Sequence, residues 1–188
     1  MRCRIARRHL RIVVAALAAT ALVVAPAASA STSTNAKGND RAASHDISFI
    51  AMLVPHHQTA VEMASVAKSK ATNAQVRQLA AHIVDEQSRQ IRQMQAWLSR
   101  NGAKPEPPPA PVREMEQQDL QMLRSAEGAM VDRMFLMMMR PHHAQAVAEA
   151  TDELEHGRDG FALSIARTTK TDQAREIAQM NDLLAALG

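Results

Sequence analysis

The chain has 188 residues, among them 12 Met, 8 His, 3 Phe, 1 Trp, 1 Cys and no Tyr, and a formal charge of +3. Five arginines and no acid fall in the first 30 residues, which leaves 17 basic against 19 acidic residues beyond them. The basic balance thus belongs to the leader, and with it goes the charge argument for nucleic acid or an anionic membrane surface as partner.

The leader reads MRCRIARRHLR, a basic stretch, then the 14-residue apolar run IVVAALAATALVVA and the small residues Ala28, Ser29 and Ala30. This order predicts a signal peptide over residues 1–30, cleaved near Ala30. Arg7 and Arg8 leave both Sec and twin-arginine export open. No second long apolar run follows, so the exported chain is expected to be soluble, secreted or periplasmic, with no membrane contact after cleavage. Cys3 leaves with the leader, so in that oxidising setting methionine is the soft metal donor that remains. Residues 31–45 (STSTNAKGNDRAASH), small and polar without period, are expected as a disordered tether.

From Asp46 the pattern is helical. Phe49, Leu53, His56, Ala60, Met63, Ala64 and Ala67 recur at spacings of three and four, an amphipathic helix to about Lys70. Asn73 is placed to cap a second helix through Val76, Leu79, Ala80, Ile83, Gln87, Ile91, Met94 and Leu98, which stops at Asn101-Gly102. Residues 102–112, with KPEPPPAP, form a stiff linker, followed by a short helix over 112–124 that breaks near Gly128. A third main helix runs from about 129 to 156 through Phe135, Met138, Met139, His142, Ala146 and Ala150. A fourth, 159–187, carries Ala162, Ile165, Thr169, Gln173, Ile177, Met180 and Leu184. No segment alternates as a strand does. The expected fold is all-α, an antiparallel four-helix bundle with a core of Ala, Leu, Ile and Met.

The bundle is expected to be two copies of one hairpin. Sliding the chain by 86 residues places Asp46 on Asp132, Phe49 on Phe135, Met52 on Met138, Pro55 on Pro141 and the pair His56-His57 on His142-His143, with 9 of 19 positions identical over 46–64. The same shift puts Gln87 on Gln173, Ile91 on Ile177 and Met94 on Met180.

At about 100° per residue, His56 lies near the middle of its stripe, with Met52 one turn before it and Met63 two turns after, while His57 falls on the flank. Each half is thus expected to send a histidine, a glutamine and methionines inward: His56, Gln87, Met52, Met63 and Met94, then His142, Gln173, Met138 and Met180. A buried imidazole needs a partner, because an unsatisfied polar group costs roughly 1–3 kcal/mol. One reading pairs Gln87 with His56 and Gln173 with His142 and leaves the methionines as packing. The other is a metal site, since neutral imidazole suits copper or zinc and thioether selects Cu(I). Gln87 and Gln173 would then hold the imidazole nitrogen turned away from the ion. Each half could hold its own ion, or His56 and His142 could share one. Pro55 and Pro141 are expected to kink continuous helices and to free the carbonyls of Ala51 and Met137 for water, imidazole or metal. His45, His82 and His156 have no histidine counterpart in the other half and are read as surface residues.

The pattern D-x-x-F-x-x-M-x-x-P-H-H-x-x-A-V, repeated and followed by Q-x-x-x-I-x-x-M, resembles the "domain of unknown function 305" family, exported ferritin-like four-helix proteins, over about 46–184. The resemblance implies copper binding or tolerance, as in the family's CopM-type members, with Cu(I) or Cu(II) as the ion. Carried over by position, it implies ligands at Met52, His56, His57, Met63 and Met94 and at Met138, His142, His143 and Met180. Glu149 stands where the first copy has Met63, and a carboxylate there would favour a harder or more oxidised ion in the second half.

The function expected is metal sequestration or tolerance by an exported protein that is not an enzyme, with a metal ion as its partner and homo-oligomers left open. Two other classes are weighed against it, a metal-free helical module that binds another protein and a ferritin-like di-metal oxidoreductase. The latter needs glutamates from two helices and Glu-x-x-His from the others. Glu62 and Glu86 do not stand three residues before a histidine, and Glu153-His156 is a single case. No nucleophile with an adjacent base, phosphate loop or cofactor fingerprint is visible.

Overall fold

The structure, a computed structural model, describes residues 33–188, with side chains from residue 43 onward; the expected signal peptide lies outside them. Five α-helices and no strand are found among the described residues: α1 (Ser33–Lys70), α2 (Ala74–Arg100), α3 (Ala110–Ser125), α4 (Ala129–His156) and α5 (Gly160–Ala186). No described helix is long and apolar enough to cross a membrane.

The stretch expected as a tether is instead helical from Ser33. Once the packed part of α1 from Asp46 is formed, each further residue adds a hydrogen bond without a new nucleation step, and Ala36, Ala42 and Ala43 favour that growth. Asn73 starts α2 by accepting from the backbone N–H of Gln75 (2.8 Å) and Val76 (3.2 Å), and Asp159 starts α5 in the same way with Phe161 (2.8 Å) and Ala162 (3.0 Å). Gly102 after α2 and Gly128 before α4 take positive φ values of 67° and 57°, which strain any residue with a Cβ.

α1 packs along α2 and α4 along α5, and the two hairpins meet chiefly along α1 and α4. Two apolar clusters result. One gathers Met63, Leu79, Ile83, Phe135, Met139 and Met180, and the other Phe49, Leu53, Met94, Leu98, Ala146 and Ile165. Between them in sequence, on α1, α2, α4 and α5, lie the buried polar residues His56, His57, Gln87, Gln90, His143, Thr169, Gln173 and Glu176.

A reciprocal tie joins the hairpins. Asp46 of α1 accepts from the backbone N–H of Arg158 (2.8 Å) and Asp159 (3.1 Å), at the start of α5. Asp132 of α4 accepts from Thr72 N (3.2 Å), Thr72 Oγ1 (2.5 Å) and Asn73 N (3.0 Å), at the start of α2. Both carboxylates are buried, a state tolerated because helix-start N–H groups surround each charge. The repeated aspartate, which in the sequence only marks the register, is thus what holds each hairpin to the other's turn.

α1 and α4 run unbroken through Pro55 and Pro141. The carbonyl of Ala51, expected to serve water, imidazole or metal, instead accepts from the backbone N–H of Glu106 at 2.9 Å. The proline-rich linker therefore docks on α1 where the helix has a bond to give.

Candidate metal centre

The histidine pairs sit where α1 meets α4. His56 and His142 stack with ring centroids 3.7 Å apart and planes at 29°, and His56 Nε2 donates to the His142 carbonyl at 3.1 Å. His57 and His143 are the deeper members and are fully buried, while His142 is half-buried. This corrects the expectation that His57 merely flanks the stripe; His56 is buried too, against α4. α1 packs against both α2 and α4, so its buried arc is wider than one stripe and takes in Ile50, Val54 and His57. Met52, expected inward, falls on the far edge of that arc and is 44% exposed. Its counterpart Met138 is half-buried.

The partners also differ from expectation. His57 Nε2 donates to Gln90 Oε1 at 2.7 Å, and His143 Nε2 donates to Glu176 Oε2 at 2.8 Å. Gln90 and Glu176 are images at the 86-residue shift, a carboxamide in one half and a carboxylate in the other. Gln87 and Gln173, one turn earlier, are buried but do not bond His56 or His142; both amide atoms of Gln87 and Oε1 of Gln173 lack a hydrogen bond. Glu176 also reaches outward, its Oε1 lying 3.6 Å from Nε2 of the exposed His82.

Burial keeps the imidazoles of His56, His57 and His142 neutral. His56 is pushed down to about 3 by desolvation, helped by His57 and His143 and opposed by the His142 carbonyl. His57 is pushed down to about 4, again by desolvation, against the bond to Gln90. Desolvation, then His56, holds His142 well below the usual histidine range. His56, His57 and His143 each engage Nε2 with a neighbour, and Nδ1 of all three, like both nitrogens of His142, has no hydrogen bond. In His56 and His57 a neutral ring is tied through one nitrogen with a lone pair left on the other, the form in which imidazole binds a metal.

Two pockets flank the stack. One, of about 220 Å³, is lined by Met52, Pro55, His56, Gln145 and Glu149. The other, of about 160 Å³, is lined by Met138, Pro141, His142, Thr59 and Met63. Shifted by 86 residues, each set falls residue by residue on the other. Met63 therefore belongs with His142 and Met138, and Glu149 with His56 and Met52, so each pocket draws on both hairpins. α3 contributes Val112 and Glu116 to both pockets and Met115 and Asp119 to the second. Thr59 Oγ1 donates to Glu116 Oε2 at 3.4 Å, and burial pushes the Glu116 carboxyl up. Met115 and Glu116 escape a reading of the sequence because α3 has no copy in the repeat. Met94 and Met180, expected as inward donors, lie in the two apolar clusters and line neither pocket, since each stands a full turn beyond Gln90 or Glu176.

The fold and the site describe an all-helical protein whose facing helices enclose paired histidines and set methionines beside them. The chain belongs to the domain of unknown function DUF305 family, which matches residues 46–184. It is similar to a DUF305 protein from Streptomyces coelicolor thought to be secreted, with 28% identity and a TM-score of 0.69 over 77% of this chain and 94% of that one. A DUF305 fragment from Deinococcus radiodurans is similar at 27% identity and a TM-score of 0.69, over 76% and 96%. CopM in its Cu(I)-bound form is similar at 32% identity and a TM-score of 0.65, over 75% and 96%. Structures of CopM with Cu(II), with silver and in the apo form are similar as well. No curated protein matches the chain.

Proposed function

We propose that the chain is an exported metal-binding protein that sequesters copper, or confers tolerance to it, through histidine and methionine side chains at the contact of α1 and α4. The observation that carries this reading is the pair of pockets beside the His56–His142 stack, each offering a methionine and a neutral imidazole. The likeness to CopM, whose structures hold Cu(I), Cu(II) and silver, supports copper as the ion. In this reading α1, α2, α4 and α5 form an antiparallel, ferritin-like four-helix bundle with a pseudo-twofold axis through the stack, and α3 covers that axis.

The two pockets are not equivalent. Met138, Met63 and Met115 beside His142 make a thioether-rich donor set, with Glu116 and Asp119 at its α3 side, that favours Cu(I), whereas Glu149 beside His56 with Met52 as the one thioether suits a more oxidised ion. His57 and His143, held by Gln90 and Glu176, fix the helix register that brings the stack together. Met94 and Met180 pack the core. The protein binds its ion and releases it without turnover, after loss of a signal peptide near Ala30.

Metal analysis of the chain recovered from outside the cytoplasm of its own host, together with its N-terminal sequence, tests the proposal. Copper bound to a chain starting near Ser31 is expected. Recovery of that chain without copper from copper-sufficient cells would overturn the reading.

A further inference from the structure

Away from the histidine pairs, the start of the packed part of α1 and the end of α4 bring four ligating side chains together. One donor atom each from His45, Asp152 and His156 lies within 4.8 Å of the others. His45 Nε2 is 3.5 Å from Asp152 Oδ2 and 3.2 Å from Glu153 Oε2, and His156 Nδ1 is 3.0 Å from Asp152 Oδ1. Ligands bonded to one tetrahedral ion at about 2.0–2.2 Å stand roughly 3.3–3.6 Å apart, so small side-chain rotations close His45, Asp152 and His156 on one ion, with Glu153 beside His45.

Glu153 separates the cluster from an ordinary acidic surface. Its side chain has no solvent exposure, neither carboxylate oxygen meets full hydrogen-bond geometry, and the imidazole of His45 and the carboxyl of Asp46 lie beside it. The chain makes room for it at Gly157, where a Cβ would lie 2.2 Å from Glu153 Oε1. A cation in contact with this group would offset both the burial and the crowding of acids.

The fold does not require polar residues here. At the 86-residue shift, His45, Asp152, Glu153 and His156 correspond to Val131, Val66, Ala67 and Lys70. Val131 and Ala67 are buried in an apolar cluster, with Val66 packed against it. One half of the protein thus fills the equivalent corner with plain packing, and the other half fills it with ligands.

We propose that His45, Asp152, Glu153 and His156 form a second cation site that takes a divalent first-row transition ion, Zn(II) or Cu(II), through two imidazoles and two carboxylates. The set holds no thioether, so Cu(I) is disfavoured. His45 precedes His56 by 11 residues, about 16 Å along α1, so this site shares no ligand with the pockets beside the stack. It stands or falls independently of the copper reading.

Zn(II), which has no redox chemistry, is the probe, titrated into the whole chain lacking residues 1–30. The variant His56→Ala/His142→Ala is expected to keep one bound Zn(II). Adding His156→Ala, at an exposed position, is expected to weaken that binding at least tenfold without changing the melting temperature of the metal-free protein. Glu153→Leu is expected to weaken it likewise while leaving the metal-free protein as stable or more so. Zn(II) affinity untouched by His156→Ala and by Glu153→Leu would overturn the proposal, as would loss of all Zn(II) binding with His56 and His142. A failure of the copper reading shows separately, as absent Cu(I) uptake with this Zn(II) site intact.

Discussion

His56 of α1 and His142 of α4 lie face to face, 3.7 Å between ring centroids, with the Nε2–H of His56 donated to the His142 carbonyl. The two copies of the repeat therefore meet on the residue that the repeat preserves. Because the pair sits at the contact, the side chain two turns beyond each histidine, Met63 on α1 and Glu149 on α4, lines the pocket of the other hairpin's histidine.

This crossing of ligands predicts an asymmetric response to mutation. Met63→Leu with Met138→Leu removes two of the three thioethers beside His142 and keeps their volume, so Cu(I) and Ag(I) affinity should fall at least tenfold with stability nearly unchanged. Glu149→Gln should instead weaken Cu(II) and leave Cu(I) in place. Competition titrations against a coloured chelator read both.

The tie between hairpins predicts where stability is lost. Asp132→Ala strands the N–H groups of Thr72 and Asn73 and the Thr72 hydroxyl, and should lower unfolding free energy by about 2–4 kcal/mol in urea denaturation. Asp46→Ala removes two such bonds and should cost less.

The buried imidazoles set an acid limit on stability. In the unfolded chain they titrate near 6.5, but in the folded chain His56 and His57 resist protonation until about 3 and about 4. Between those values the unfolded chain binds more protons, so stability is full above 6.5 and falls as the pH drops toward 3, by a few kcal/mol in all. Glu153 acts with the opposite sign: raised from 4.5 to about 8, its contribution is full below 4.5 and is lost as the pH rises through 8. Urea midpoints of the metal-free chain across this range should decline on both sides, with His56→Leu/His142→Leu flattening the acid limb and Glu153→Leu the alkaline one.

Gln90 and Glu176 play the same part with different chemistry. Gln90→Leu leaves the buried N–H of His57 without an acceptor and should destabilise by roughly 1–3 kcal/mol. Glu176→Gln copies the first half's pairing into the second, and should cost less than Glu176→Leu in the same denaturation assay.

Much of this architecture is legible in the sequence because it rests on periodicity and repetition. The spacing of Phe49, Leu53, Ala60 and Ala64 marks α1, the Asn73 cap marks the start of α2, and the shift of 86 residues aligns the histidine pairs. What periodicity cannot give is rotation about the helix axis when a helix has two neighbours. For that reason His57 lies deeper than its stripe position implies, Met52 turns outward, and Gln90 rather than Gln87 meets a histidine. Nor does a helical stripe reveal which residues of different hairpins share a pocket, so the grouping of Met63 with His142 emerges only in three dimensions. His45 and His156 look like surface residues in the sequence because the carboxylate that gives their cluster meaning, Glu153, is buried by the turn at Gly157.

The central claim, that the stacked histidines and the methionines beside them bind copper, is tested most directly by titrating Cu(I) into the protein lacking residues 1–30 and into its His56→Ala/His142→Ala variant. The account predicts tight uptake of at least one Cu(I) by the parent and an affinity at least a hundredfold weaker in the variant, with helical content retained. Equal affinity in the two proteins, or no uptake by the parent, would contradict it.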